Sequence, residues 1–175
     1  MDKAIAYAKM DDVILTTFGD MLNVPGTHSS LAQAAAAGAD IRIVYSPLES
    51  LPIAAANPEK KVIFLAVGFE TTAPTAAATV LAAEQQGLEN FYVLSAHKLV
   101  PPALRMLLDD PEVRVDGFIL PGHVCVVTGT DVYRFLAEEY HMPGVVTGFE
   151  PLQILRSLYR LSQQVAEGGA RIENE

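Results

Sequence analysis

Short apolar segments alternate along this chain with longer segments of helical pattern. Most of the apolar segments are continuously apolar, which is typical of strands buried on both faces of a parallel sheet. Strands are predicted at 13–17, 41–45, 62–67, 91–94, 115–120 and 145–147. Helices are predicted between them, at 29–37, 48–56, 74–86, 103–109, 131–140 and 151–166. The alternation predicts an α/β fold, a mostly parallel, Rossmann-like sheet with helices on both faces.

Several helix boundaries have their own signals. Thr72 is predicted to cap the alanine-rich helix, Pro74 lies in its first turn, and Gly87 follows its last turn. Prolines also mark the predicted starts of two later helices, at 101–102 and at 151. These signals strengthen the division of the chain into helices and strands.

Composition narrows the class of protein. The chain has 175 residues, 50% of them hydrophobic and 19% charged, which excludes a disordered chain and predicts about one domain. A formal net charge of -9 argues against nucleic-acid binding. No apolar stretch is long enough to span a membrane, and Met1–Ala4 does not begin a secretory signal. We therefore expect a cytoplasmic protein without a membrane association.

Polar or glycine-containing clusters follow nearly every predicted strand. Ligands of an open parallel sheet bind outside the carboxyl ends of its strands, so we expect these side chains to meet on one edge. The expected set is Asp20, Glu70, Thr71, His97, Lys98, His123 and Glu150, with Thr72 beside Thr71 as a further lining residue. The triplet Gly-Phe-Glu occurs at 68–70 and again at 148–150, which indicates either a duplicated unit or chance.

The chemistry of this set has several interpretations. His97 and His123 with a carboxylate have the ligand types of a transition-metal site, although they lie on different turns without a His-x-x-His spacing. His97 and Lys98 near Glu70 suit acid–base chemistry, because histidine titrates near neutral pH. In a third interpretation, the two histidines only bind turn backbone and hold the edge rigid.

Other common site motifs are missing from the sequence. It contains no G-x-x-x-x-G-K-[ST], no G-x-G-x-x-G after the first strand and no G-x-S-x-G. Cys125 follows His123 by two residues, as an activated thiol would, but its position within Val124–Val127 predicts a small buried hydrophobe. One cysteine excludes an internal disulfide and an all-cysteine metal cluster within this chain.

Taken together, the strand-end strings resemble those of the HypD-type hydrogenase maturation proteins. The resemblance runs along almost the whole chain and keeps the same order of motifs. It rests on Thr17–Met21, Val24–Gly26, Gly38–Leu48, Gly68–Pro74, His97–Ala103, Pro121–Val124 and Gly148–Leu152.

This resemblance implies a role in building the Fe(CN)2CO centre of [NiFe] hydrogenases. In that family the protein forms a scaffold with a HypC-type chaperone, and cyanide comes from a HypE-type donor that a HypF-type protein supplies. The family fold has two similar α/β domains flanking a cleft and a further domain with a four-iron, four-sulfur cluster. By resemblance, the cleft residues here are Asp20, Glu70, Thr71, His97, Lys98 and His123.

Physical chemistry adds expected roles for three of these residues. The charge of Lys98 can stabilise a thiolate or a bound cyanide. Glu70 and His97 can position or relay protons during ligand transfer. Asn23 stands where the family usually has Arg, and Cys125 where it usually has Ser, so Cys125 is not carried over as a ligand.

The resemblance also implies what residues 1–175 lack. Family members are about twice as long and have Cys-Gly-Gly-His and Gly-Pro-Gly-Cys-Pro-Val-Cys motifs near the N-terminus and cluster cysteines near the C-terminus. We expect residues 1–175 to be a central α/β region, part of the first and most of the second domain, without metal ligands or a cofactor of its own. An accessory scaffold, inactive alone, is the leading prediction. A self-contained small-molecule enzyme using His97 and Glu70, or a module that only docks a partner, remain alternatives.

Overall fold

The computed structural model describes residues 1–175, and these divide into two compact units, 1–97 and 98–175. The first unit has a four-stranded, wholly parallel sheet with the strand order β2-β1-β3-β4. Its strands are β1 (Val13–Thr17), β2 (Ile41–Ile43), β3 (Lys61–Gly68) and β4 (Phe91–His97). Its helices are α1 (Asp2–Ala8), α2 (Leu31–Ala36), α3 (Ser50–Ala56) and α4 (Ala73–Gln85), with 3-10 turns at Gly19–Asn23 and Pro47–Glu49.

Helices cover both faces of the first sheet. All five residues of β1 are buried, as are Val62–Ala66 of β3, which explains why these strands are mostly apolar. On one face Leu15 and Leu65 pack with residues of α1 and α2. On the other face Phe64 packs with residues such as Ala76 of α4. The sheet is thus the middle layer of three.

A buried hydrogen bond ties the central strand to α3. The hydroxyl oxygens of Thr16 and Ser50 are 2.8 Å apart, and both side chains are fully buried. Thr16 also lies 3.4 Å from the Ile63 carbonyl oxygen, toward which its hydroxyl can donate. These two side chains satisfy each other inside an otherwise apolar core, so removing one leaves a buried polar group without its partner.

The second unit has a smaller parallel sheet with the strand order β5-β6-β7. Its strands are β5 (Phe118–Pro121), β6 (Gly144–Thr147) and β7 (Ile172–Asn174). Its helices are α5 (Val100–Leu108), α6 (Gly122–Thr128), α7 (Arg134–Glu138) and α8 (Pro151–Glu167), with a 3-10 turn at Asp131–Tyr133. Its core centres on Leu120, Tyr133, Leu136 and Val146.

The predicted α/β class is confirmed, but three elements were not predicted. β7 contains one apolar residue, Ile172, and its strand conformation comes from pairing with buried β6. α1 buries Ala4, Ile5 and Ala8 in a segment that also contains exposed charges. α6 occupies Gly122–Thr128, a segment for which the sequence predicted only a strand-end cluster and a small buried hydrophobe at Cys125. The single sheet that the alternation suggested is instead two sheets.

The helix boundaries that the proline and glycine signals predicted agree with the structure. Prolines stand in the first turns of α4, α5 and α8, and Gly87 follows α4 with φ +65°. Thr72 is the N-cap residue of α4, but its side chain makes no capping hydrogen bond, so that part of the prediction is wrong. Its hydroxyl donates to the Phe69 carbonyl oxygen at 3.0 Å instead. No helix in the structure combines the length and apolar composition that crossing a bilayer requires.

The Thr16–Ser50 pair leads to a stability prediction. Thr16→Val is expected to lower the free energy of unfolding by about 1–3 kcal/mol, because it leaves the Ser50 hydroxyl buried without its partner. The double variant Thr16→Val/Ser50→Ala is expected to lose less than the sum of the two single changes. Denaturant unfolding of the four proteins measures this coupling, and strictly additive losses would contradict it.

Candidate functional site

The carboxyl ends of three strands form one edge of the first sheet. β1 ends at Thr17, and Gly68 of β3 lies in register with His97 of β4. Asp20 follows β1 in its 3-10 turn, and Glu70 follows β3. The structure therefore brings Asp20, Glu70, Thr71, Thr72 and His97 to the same edge, as parallel strands require.

A glycine-dependent turn holds Glu70 at this edge. Gly68 has φ +146°, which side-chain-bearing residues rarely adopt, and a Cβ there would overlap the Thr72 hydroxyl. The Thr72 backbone N–H donates to the Phe69 carbonyl oxygen at 3.2 Å and closes the turn. Glu70 is only 8% exposed, although its neighbour Phe69 is exposed. A carboxylate buried beside a glycine-dependent turn has a fixed position.

His97 is positioned by its own strand. Its Nδ1 lies 3.2 Å from the Ser95 hydroxyl oxygen, two residues back on the same side of β4. The ring is half-buried. With Nδ1 engaged by Ser95, Nε2 is the ring nitrogen left for a hydrogen bond to a ligand. Sequence reasoning had not identified Ser95 as a partner of His97.

The other predicted residues of this edge differ in exposure. Asp20 is exposed on the 3-10 turn, and Thr71 is half-buried. Thr72 is exposed, and its hydroxyl serves the turn described above. Asp20 and Thr71 therefore have side chains that can face a ligand, whereas Thr72 first stabilises the position of Glu70.

The second sheet has its own carboxyl edge. His123 is the second residue of α6, directly after β5, and its exposed ring stacks on Phe149 with centroids 5.0 Å apart. Lys98 is exposed and is the first residue of the second unit. The expectation that all seven residues meet on one sheet edge is wrong, because the chain forms two separate sheets.

Glu150 has a structural role that the sequence analysis missed. It is the N-cap of α8, where its carboxylate accepts from the backbone N–H of Gln153. In return, the Gln153 side-chain oxygen accepts from the Glu150 backbone N–H at 3.4 Å. This capping box satisfies the first turn of a 17-residue helix. Phe149 in the same turn is 75% exposed.

The repeated Gly-Phe-Glu triplet occupies equivalent places in the two units. Each triplet lies at the carboxyl end of the strand that precedes a crossover helix: Gly68 is the last residue of β3, before α4, and Gly148 directly follows β6, before α8. Each helix has proline in its first turn and is followed by a glycine of positive φ, +65° at Gly87 and +67° at Gly168. A parallel strand comes next in both cases. Both triplets therefore occupy the same place in a strand–turn–helix–strand unit, as the duplicated-unit interpretation requires.

Two other sequence interpretations can be compared with the structure. No group of three or more His, Cys, Asp or Glu side chains is arranged to hold a metal ion. Cys125 is partly buried against the core of the second unit, and burial raises the pKa of its thiol. A raised pKa keeps the thiol protonated at neutral pH, which is opposite to what an activated nucleophile needs.

Comparison with known proteins identifies the family of this chain. All 175 residues match the model for HypD, described as the hydrogenase formation hypA family. The chain belongs to this family. It is 50% identical to the hydrogenase maturation factor HypD of Rhodobacter capsulatus over 175 residues, which are all of this chain and 46% of that protein. It is 46% identical to the Escherichia coli HypD over 175 residues, again all of this chain and 47% of the relative.

An archaeal relative extends the comparison. The chain is 42% identical over 175 residues to a putative hydrogenase expression/formation protein of Methanocaldococcus jannaschii. That match covers all of this chain and 48% of the relative. The chain thus spans about half the length of the curated HypD-family relatives it matches.

The end of β5 depends on one glycine. A Cβ at Gly122 would lie 2.5 Å from the Thr147 carbonyl oxygen, a backbone atom that cannot move aside. Gly122→Ala is therefore expected to cost about 1–3 kcal/mol of unfolding free energy and to disturb the His123–Phe149 stack. Gly169→Ala, whose Cβ meets nothing closer than 3.6 Å, is the control in the same unit. Equal stability of the two variants in denaturant unfolding would contradict this prediction.

The state of Cys125 can be tested by alkylation. Because burial raises the pKa of its thiol, we expect its reaction with iodoacetamide at pH 7 to be slower than that of a free cysteine. Because the thiolate fraction grows with pH until the pKa is passed, the rate is expected to keep rising beyond the ordinary thiol pKa of about 8.5 and to level off only above it. Mass spectrometry follows the reaction, and rapid alkylation with an inflection below pH 8 would show an activated thiol instead.

Proposed function

We propose that this chain forms the central α/β part of a scaffold that assembles the Fe(CN)2CO centre of [NiFe] hydrogenases. The observation that carries the proposal is the match of every residue to the HypD family. The names of the relatives, hydrogenase maturation factors, support the general role. In this proposal the iron with its diatomic ligands is cargo, and HypC-, HypE- and HypF-type proteins are the partners.

The chain's own residues do not fit an iron–sulfur cluster. A four-iron, four-sulfur cluster is held by four cysteine thiolates, and the sequence contains one cysteine. That cysteine is partly buried in α6, and its thiol pKa is raised. We therefore assign no step of cluster chemistry to residues 1–175.

Glu70 and His97 are the residues we propose for proton handling. Glu70 is a buried carboxylate in a fixed turn, and His97 lies at the end of the adjacent strand with its Nδ1 near Ser95. A carboxylate and an imidazole on one sheet edge can position a ligand and move a proton to or from it. Asp20 and Thr71 line the same edge as polar binding groups in this proposal.

Lys98 and His123 belong to the second unit and have different proposed roles. The exposed ammonium group of Lys98 can stabilise an anionic ligand such as cyanide or a thiolate by charge. The exposed ring of His123, stacked on Phe149, offers a flat surface with a polar edge. Both side chains are accessible to a partner protein.

A chimera tests the assembly role. Residues 1–175 replace the matching half of the E. coli relative, and hydrogenase activity is measured in cells that lack their own copy. The unmodified chimera is expected to restore activity, and Glu70→Gln or His97→Ala to reduce it by roughly a hundredfold. Failure of the well-folded chimera to restore any activity would contradict the proposed function.

Matched controls separate a site effect from a folding effect. Glu84→Gln changes an exposed carboxylate of α4, and His28→Ala changes an exposed histidine outside the helices and strands. Both controls are expected to retain activity. In parallel, the isolated chain is mixed with a HypC-type protein, and co-elution is expected with less than one bound iron per chain. Stoichiometric iron or an iron–sulfur absorption band in the chain alone would contradict the division of roles proposed above.

A further inference from the structure

A carboxylate of the first helix holds the loop that follows β1. Both oxygens of Asp2 accept hydrogen bonds from Thr27, Oδ1 from the backbone N–H at 2.7 Å and Oδ2 from the side-chain hydroxyl at 2.7 Å. Hydrogen bonds to an ionised acceptor are stronger than those between neutral groups. They lower the pKa of the Asp2 carboxyl, which therefore stays ionised at neutral pH. We call this two-point contact between Asp2 and Thr27 the Asp2 clamp.

The loop is shaped to admit this carboxylate. A Cβ on Gly26 would overlap Oδ1 of Asp2 and would lie 2.9 Å from the Ile5 side chain, so the close approach requires glycine at this position. The Gly26 N–H donates to the Ser29 carbonyl oxygen at 2.7 Å and closes the loop around Thr27. In this closed loop the backbone N–H and the hydroxyl of Thr27 both point to Asp2.

Asp20 depends on the backbone for its position. Its exposed side chain makes no hydrogen bond or ion pair within this chain. The segment that carries it leaves the sheet at Thr17, which is fully buried at the end of β1, and reaches the clamp at Thr27. Without the clamp, the next fixed point is Ser30, which caps α2. Because a longer free loop samples more conformations, the clamp restricts the turn that carries Asp20.

We propose that Asp2 is a positioning residue of the candidate site, and that it holds Asp20 at the ligand-facing edge through its clamp on Thr27. This inference rests on the proposed function, in which Asp20 is a polar binding group of that edge. Asp2 does not itself bind the ligand, because Thr27 engages both of its carboxylate oxygens. A displacement of about 1 Å in a binding group can cost roughly a hundredfold in rate, so a residue that anchors a loop can control a reaction in which it takes no direct part.

Amide exchange tests the clamp itself. By NMR of this chain, the backbone N–H of residue 27 is expected to exchange with solvent about tenfold faster after Asp2→Ala, because it loses its acceptor. Thr27→Ser retains both donors and is expected to keep the slow exchange. Asp11→Ala removes an exposed carboxylate from the connection between α1 and β1 and is the matched control, with no change expected. Equal exchange at residue 27 in the Asp2→Ala variant and the unmodified chain would overturn the clamp.

A double-variant cycle in the E. coli chimera tests the positioning role, with chimera levels matched by immunoblotting. Asp2→Ala and Asp20→Asn are each expected to reduce hydrogenase activity about tenfold, whereas Thr27→Ser and Asp11→Ala are expected to retain it. Because Asp2 acts through Asp20 in this proposal, the double variant Asp2→Ala/Asp20→Asn is expected to lose no more activity than Asp20→Asn alone. A merely structural effect of Asp2 would be independent of Asp20, and the two losses would multiply to about a hundredfold.

The outcomes separate this inference from the proposed function. In a chimera that restores hydrogenase activity, full activity of Asp2→Ala would overturn the positioning role alone, and so would multiplied losses in the double variant. An inactive unmodified chimera would contradict the proposed function and with it the positioning role, whereas the exchange result for the clamp would stand. Faster exchange at residue 27 together with non-multiplying activity losses would support Asp2 as the anchor of Asp20.

Discussion

Burial of the central strands from both faces is the constraint on which the first unit depends. β1 and most of β3 contact helices on either side, so their side chains are mostly apolar, and the buried Thr16 hydroxyl is hydrogen-bonded to Ser50 inside the core. Polar chemistry can then occur only where these strands end. A buried parallel sheet therefore places Glu70 and His97 at a common edge. The strand topology alone does this, and no contact between the two side chains is needed.

The two Gly-Phe-Glu turns show how spacing changes the role of the same residue type. In the first unit, Thr71, Thr72 and Ala73 separate Glu70 from Pro74, so the carboxylate lies ahead of the first turn of α4. In the second unit, Glu150 directly precedes Pro151 and becomes the N-cap of α8. The three extra residues release Glu70 from capping, and its burial then has to be supported by the Gly68 turn.

Much of this architecture could be predicted from the sequence, because burial leaves a readable pattern. The strands at 13–17 and 62–67 and the helix at 151–166 closely match the structure, since each has a strong apolar period or a clear cap. β7 could not be predicted, because a strand of Ile172, Glu173 and Asn174 forms only through its pairing with β6. Strand periodicity did not predict the division into two sheets, because it does not say which strands pair, whereas the family resemblance implied parts of two α/β domains.

The sequence predicted the residue types of the candidate site and their location at strand ends. It did not predict the structural role of each residue. Glu150 and Thr72 belonged to the polar clusters, yet the structure uses them to cap α8 and to close the Glu70 turn. Both roles depend on local backbone hydrogen bonds, which a strand-end rule does not resolve. A smaller set of the predicted site residues neither caps a helix nor closes a turn. In the first unit these are Asp20, Thr71 and His97, with Glu70, and in the second unit they are Lys98 and His123. Because the only thiol in this sequence is partly buried and has a raised pKa, these oxygen and nitrogen groups are the ones here that can orient a ligand or move a proton.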